Sequence, residues 1–261
     1  MIEKTYSLEL SMEVMEMTNI FKSEWLKQKS SSDKKLLILI PLLAIFIAFI
    51  LAGPLNLESF SIYWWEGGFL FTLLGLLFLA DYSAEENAGA FQNISLGRYT
   101  FTIYLAKILL KFKDVLISTF IFMIIFYGIS FLFSGVMSVD IGKDLICLLL
   151  IGVSSAWVLP LLYFLAKWIN PYLLLATNSL ICLLVAPLIA QTSVWFIFPY
   201  TYHYKIAYAL LHLKPSGDLE AALSGVEIST ILISVSLSIL VFVSFLSLLK
   251  WRITNEQNSK K

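Results

Sequence analysis

The sequence predicts an all-α, polytopic membrane protein: six transmembrane helices, an N-terminal interfacial helix, a cytosolic loop after the second span and an outer hairpin between spans five and six. Three observations carry this expectation. Of the 261 residues 59% are hydrophobic and 14% charged, with a mean hydropathy of +0.84, far from a soluble globular composition. Six stretches are apolar over about the 20 residues a helix needs to cross roughly 30 Å of hydrocarbon. Lysine and arginine then collect on one side of those stretches, as they do on the cytoplasmic side of a membrane.

Taken in order, residues 1–16 are polar, methionine-rich and weakly patterned, and read as an extension ahead of a second candidate start at Met17-Thr18-Asn19. From Asn19 to Gln28, NIFKSEWLKQ sets Ile20, Phe21, Trp25 and Leu26 at helical spacing, with Lys22 and Lys27 within reach of headgroups. That pattern predicts a helix lying along the inner leaflet with Phe21 and Trp25 as its anchors; a cytosolic helix packed on its neighbours is the alternative. The expected spans are Leu36–Ala52, Ser61–Ala80, Val115–Phe133, Leu145–Ala166, Tyr172–Phe196 and Ile228–Leu249. The first is the clearest, its insertion favourable by several kcal/mol at about a few tenths per apolar residue. Pro41, Pro160 and Pro187 are tolerated inside membrane helices. Ser234 and Ser238 lie four apart in the last span, where small residues let backbones approach.

These boundaries divide the chain into residues 1–35 (extension and interfacial helix), 36–249 (six spans) and 250–261 (a cytosolic tail). With the N-terminus inside, the basic residues of 1–35, 98–113, 167 and 250–261 fall on the inner side and only Lys143, Lys205 and Lys214 outside. Both termini are therefore expected in the cytoplasm. Tyr63, Trp64, Trp65 and Tyr200 would mark one interface, Trp168 and Trp251 the other. Between spans five and six, YHYKIAYALLHL is expected to form one arm of a short amphipathic hairpin at the outer surface. The absence of a compact apolar core before a small-residue cleavage site argues against a cleaved signal peptide. Cys147 and Cys182 both fall in apolar segments, so no disulfide framework is indicated.

Residue chemistry excludes several classes. Gly142-Lys143-Asp144 lacks the glycine-rich lead of a phosphate-binding loop, so the chain is not expected to hydrolyse ATP that way. Glu85, Glu86, His203 and His212 are the residue types of a membrane metalloprotease, but the expected topology puts the glutamates inside and the histidines outside; no metal site is expected. The histidines read instead as interfacial side chains. The basic residues follow the membrane boundary rather than a groove-binding face, so no nucleic acid partner is expected. Glu66 near the outer end of a span, Trp157 and Asn178 are candidates for lining a substrate path, with hydration of Glu66 and interhelical packing of the other two as the alternatives.

The longest polar interruption between apolar segments is Ala80 to Lys113, ADYSAEENAGAFQNISLGRYTFTIYLAKILLKFK. It carries Glu85 and Glu86, then Gly89, Phe91 and Gln92, then a turn at Gly97-Arg98. A loop of this kind is where a cytosolic motor could grip a membrane channel, or merely a solvated loop kept out of lipid by its charges.

The run NIFKSEWLKQKSSSDKKLLILIPLL resembles the start of permease subunits of type-two ABC exporters, especially those of the lantibiotic-immunity transporters that protect mutacin and epidermin producers. The segment AEENAGAFQNISLGRYTFTIYLAKIL is similar to the E-x-x-x-G-x-F-Q-like region after the second span of that family, where a short coupling helix sits in a cleft of the ATPase. The resemblance covers nearly the whole chain; residues before Met17 depart from it. It implies ATPase coupling through Glu85, Glu86, Gly89, Phe91 and Gln92, with Leu96, Gly97 and Arg98 at the loop exit. It implies a cytosolic ATPase that binds ATP and Mg, a second permease subunit, membrane lipid and an amphipathic peptide substrate as partners, no cofactor in this chain, and a bacterial cytoplasmic membrane as its location. An exporter of another drug or lipid, and a non-transporting scaffold or sensor, are the rival expectations.

Overall fold

A computed structural model describes residues 2–29, 32–89, 91–92, 99–133, 140–220 and 225–259, with side chains from residue 15 onward except at Ser32. About 84% of the chain is helical and no strand forms among the described residues. Six helices are long and apolar enough to cross a membrane, so this is an all-α, multi-pass membrane protein.

Helix α1 spans Ile2–Lys29 without a break, so residues 2–16, expected to be an unpatterned extension, continue the helix that carries Phe21 and Trp25. It is tied to the residue that precedes α4 where Tyr99 Oη donates to Glu16. A 3₁₀ turn at Ser32–Lys35 leads into α2, Leu36–Ala52. Helix α3, Leu57–Asn87, and α4, Thr100–Leu132, are both longer than a bilayer requires. Most of the polar interruption is therefore not loop: residues 80–87 continue α3 and residues 100–113 begin α4. Leu96, Gly97 and Arg98 lie outside the described residues.

Helix α5, Ile141–Leu165, is interrupted at Ala156 and Trp157, three residues ahead of Pro160, whose ring and missing N–H disturb the preceding turn. Helix α6 covers Pro171–Ala190, starting on an Asn170 side chain that accepts from Tyr172 N at 2.9 Å. It is shorter than expected: residues 191–201 leave it through irregular chain and two 3₁₀ turns. Helix α7, Tyr202–Leu211, packs between α5 and α8, Ile228–Asn258.

Two expectations are corrected here. The segment read as a surface hairpin arm is internal: Tyr202, His203, Tyr204, Ile206, Ala207, Ala209 and Leu210 are buried. Seven of its ten residues are thus buried, and only a narrow stripe with Lys205 and Tyr208 stays partly exposed. The chain does fold back after it, through Glu220 N to His212 O at 3.0 Å and Glu227 N to Ala209 O at 3.2 Å. Second, Trp65 and Tyr200 are core residues and not interfacial anchors, whereas Trp168 and Trp251 are exposed. Ser234 and Ser238 are among the few buried residues of α8. That helix continues past Leu249, with Arg252 and Ile253 buried, so residues 250–258 extend the bundle.

Candidate functional site

At the end of the bundle where α1, α3 and α4 meet, two charge pairs at helical spacing face each other. Asp81 and Glu85 lie four apart on α3, and Lys107 and Lys111 four apart on α4, so each pair shares a helix face. Lys107 Nζ, almost fully buried, donates to Asp81 Oδ1 at 2.9 Å, to Asp81 Oδ2 at 3.1 Å and to Glu85 Oε1 at 2.8 Å. It also lies 3.2 Å from Glu24 Oε2 of α1. Lys27 closes the ring, donating to Glu24 Oε1 at 2.7 Å and Glu85 Oε1 at 3.3 Å. Tyr163 of α5 donates to Asp81 Oδ2 at 2.7 Å, and Lys111 to Asp33 Oδ2 at 3.1 Å.

Burial would lower the pKa of the Lys27 ammonium, but the carboxylates of Glu24 and Glu85 outweigh it and hold Lys27 above the ordinary lysine value. Glu24, Asp81 and Glu85 against Lys27 and Lys107 leave one surplus negative charge. The cavity of about 360 Å³ that these groups line gives it access to solvent. Buried ions are costly unless paired and hydrogen-bonded, and here every one of the five has at least one partner of opposite charge. The result clamps α1, α3 and α4 to one another.

Glu85, expected as a docking carboxylate, is therefore buried and held inside the clamp. Glu86, on the next position round the helix, is exposed. Beyond the last turn Gly89 has φ 136° and Phe91 φ 64°, a left-handed conformation uncommon for an aromatic residue. It turns the Phe91 ring back onto Tyr82, with centroids 4.7 Å apart. Gln92 is exposed, its N–H donating to Gly89 O at 3.0 Å. A cavity of about 280 Å³, lined by Phe91, Tyr82, Tyr104, Tyr163 and Arg252, opens beside this turn. Arg252 anchors the end of α8 there, donating to the carbonyls of Tyr163 and Phe164 at 3.1 and 2.7 Å.

The other sequence candidates sit elsewhere. Phe21 and Trp25 are exposed on α1. Glu66, expected close to a hydrated helix end, is fully buried, because α3 starts at Leu57 and Glu66 lies nine residues in, about 14 Å at 1.5 Å per residue. Neither of its carboxyl oxygens has a hydrogen-bond partner among the described residues. It stands in a π-helical turn, Trp65–Phe69, opposite a second one in α6, Ile181–Val185. Such turns displace the regular backbone ladder, and here side chains satisfy it: Cys182 Sγ approaches Glu66 O at 3.7 Å and Tyr204 Oη donates to Cys182 O at 3.1 Å. His203, expected to be interfacial, lies buried with Nε2 3.5 Å from Cys182 Sγ.

Asn178 donates through Nδ2 to Phe71 O at 2.8 Å and accepts from Tyr200 Oη at 3.0 Å. Trp157 packs edge-on against that same Tyr200 ring, centroids 4.8 Å apart. Both are buried, so among the described residues they join α3, α5 and α6 through Tyr200 rather than face an opening. Among the described residues no group of three or more His, Cys, Asp or Glu could hold a metal ion, and Cys147 and Cys182 are free and buried.

Taken singly, Lys27 looks like a headgroup-facing lysine, Lys107 and Lys111 like inner-side basic residues and Glu85 like a loop acid, so residue types alone do not reveal the clamp. The signal was present in the opposed spacing of Asp81/Glu85 and Lys107/Lys111. In comparisons with known proteins, no family model, no curated protein and no solved structure matches the chain.

Proposed function

We propose that this chain is the membrane permease subunit of an ABC exporter that expels or clears amphipathic antimicrobial peptides, driven by a separate cytosolic ATPase that binds ATP and Mg. The observation that favours this reading is the mounting of the α3–α4 connection. It hangs from two helices that run beyond bilayer length and are clamped to each other and to α1 by buried ion pairs, so a push on it moves three helices as one body. A solvated loop would need no such mounting.

On this reading the roles divide. Glu85 is a positioning residue inside the clamp, while Glu86, Gly89, Phe91 and Gln92 form the outward surface that the ATPase meets. The Phe91 ring and the aromatic-lined cavity beside it supply the apolar part of that contact, with Glu86 its charged rim. The protein spans a bacterial cytoplasmic membrane with the clamped end and both termini on the cytoplasmic side, and a second permease subunit completes the pathway.

The test is purification of the chain with the ATPase encoded beside it, followed by measurement of peptide-stimulated ATP hydrolysis. Phe91→Asp should abolish co-purification and stimulation while leaving the chain folded in the membrane. Unchanged hydrolysis in Phe91→Asp and Glu86→Lys together, or full peptide resistance in cells whose ATPase is transport-dead, would remove the proposal.

A further inference from the structure

The opposite end of the bundle treats charge differently. There the first turn of α3, the start of α5 and the turn after α7 enclose a cavity of about 180 Å³. Glu58, Asp140 and Asp144 line it together with Lys143, over an apolar floor that includes Ile62 and Leu213.

The three carboxylates are not equivalent. Asp140 is already engaged: its Oδ1 accepts from Lys143 N at 3.2 Å as the cap of α5, and its Oδ2 lies 3.4 Å from Lys143 Nζ. Those N–H groups and the ammonium hold the Asp140 carboxyl below the usual carboxylate range. Lys143, the basic residue at the cavity, is thereby taken up. Asp144 is 1% exposed, and its Oδ1 has no hydrogen-bond partner among the described residues. Its Oδ2 accepts from Tyr127 Oη at 3.5 Å, the limit of a hydrogen bond. Glu58 of α3 lines the same cavity with its carboxyl group within hydrogen-bond reach of Asp144, and neither forms an ion pair among the described residues. Two carboxyl groups confronted in a site largely shut off from water repel unless a proton or a cation comes between them.

We infer that this cavity binds an organic ammonium group carried on a short alkyl chain, with Asp144 and Glu58 receiving the charge and Ile62 and Leu213 the chain. An ammonium presents three donors on a flexible stem, which suits one orphaned carboxylate oxygen and a second carboxyl opposite it. A divalent metal ion would demand six or more oxygens in convergent geometry, and no such group exists among the described residues. The volume admits a side-chain-sized group; pockets for whole drug-sized molecules run roughly 300–1,000 Å³. Assigning the amine to a lysine side chain of an exported peptide rests on the export reading; the amine site does not.

The purified chain in neutral detergent, with no ATPase present, is titrated with dansylcadaverine, a primary amine on a five-carbon stem, and its fluorescence anisotropy read against empty micelles. Saturable binding is expected. Asp144→Asn and Glu58→Gln should each weaken it about tenfold or more, the loss expected for a charge-assisted hydrogen bond. Asp218→Asn, an exposed acid near the same end, should leave it within about twofold. The unfolding midpoints of Asp144→Asn and Glu58→Gln should equal or exceed that of the unsubstituted chain, because the confronted charges are relieved. Unaltered affinity in both variants, or lowered midpoints in both, would show that the pair only fastens α3 to α5 and would overturn the site. Displacement of the amine by micromolar calcium chloride would overturn the ammonium assignment. Because the ATPase takes no part, failure here leaves the coupling proposal standing, and loss of coupling in Phe91→Asp leaves this one standing.

Discussion

Replacing Lys107 by Met tests the clamp most directly. Lys107 Nζ is the shared cation of Asp81, Glu85 and Glu24 at 2.9, 2.8 and 3.2 Å, and methionine keeps much of the stem while deleting the charge. Glu24 and Glu85 would retain Lys27, at 2.7 and 3.3 Å, but Asp81 would keep only the Tyr163 hydroxyl. A buried ion left without its partner costs about 3–5 kcal/mol, which for a chain of this size corresponds to a fall in unfolding midpoint of about 6–20 °C. The assay is thermal unfolding in detergent, or titration with a denaturing detergent, followed by tryptophan fluorescence. Lys107→Met/Asp81→Leu removes charge and counter-charge together and should recover most of the loss, since an apolar replacement of a whole buried pair is often nearly neutral. The reasoning fails if Lys107→Met costs less than about 1 kcal/mol, the scale of a surface pair, or if the double variant is as unstable as the sum of the single ones.

Two further outcomes follow from particular contacts. At Gly67, a Cβ would stand 2.6 Å from Tyr204 Oη, the group that satisfies the Cys182 carbonyl in the α6 π-turn, so Gly67→Ala should cost about 1–3 kcal/mol; adding Tyr204→Phe should cost less than the sum, read from unfolding midpoints of the four proteins. Lys27, held above the ordinary lysine value, contributes stability that is complete below about pH 10.4 and is lost as pH rises through its higher folded value. The midpoints of the unsubstituted chain and of Lys27→Met should accordingly stay apart at neutral pH and converge only in strongly alkaline buffer.

Much of the fold was legible because membrane insertion depends on composition over long windows. Leu36–Ala52 coincides with α2, and the other five spans were found even where their ends moved. The ends moved for identifiable reasons. Asp81, Glu85, Lys107 and Lys111 look like loop residues when scored one at a time, because a hydropathy window charges each for its own burial and cannot credit it with a partner on another helix. Asp81 and Glu85 paired with Lys107, and Lys111 paired with Asp33, extend α3 and α4 well past the apolar stretch. The same blindness hid α7. Its Tyr and His side chains suggest an interface, yet Tyr204 and His203 find their partners at Cys182, on the preceding helix α6. Glu66 could be flagged from sequence as an ionisable residue in a span, but its depth depended on where α3 begins. Phe91 could be named, but its left-handed turn onto Tyr82 could not be read from residue types.

The two ends of the bundle make a mechanical contrast from which the division of labour follows. At the α1 end every charge of the clamp has a partner of opposite sign, and separating α3 from α4 there would part Lys107 from its carboxylates; that end resists internal rearrangement and moves as a body. At the far end Asp144 lacks a full set of partners, and α3 carries a π-turn at Trp65–Phe69 between the two regions. A helix rigidly held at one end and irregular in its middle transmits a push as a change of angle beyond the irregular turn. Glu58 lies on that far segment and Asp144 on α5, so such a change would alter the spacing of the two carboxyl groups directly. On the export reading, dansylcadaverine affinity should therefore depend on the nucleotide state of a bound ATPase, and should cease to do so in Lys107→Met, where the clamped end of α3 is no longer held. An affinity that follows nucleotide state equally in both proteins would show that the push travels by a route other than α3.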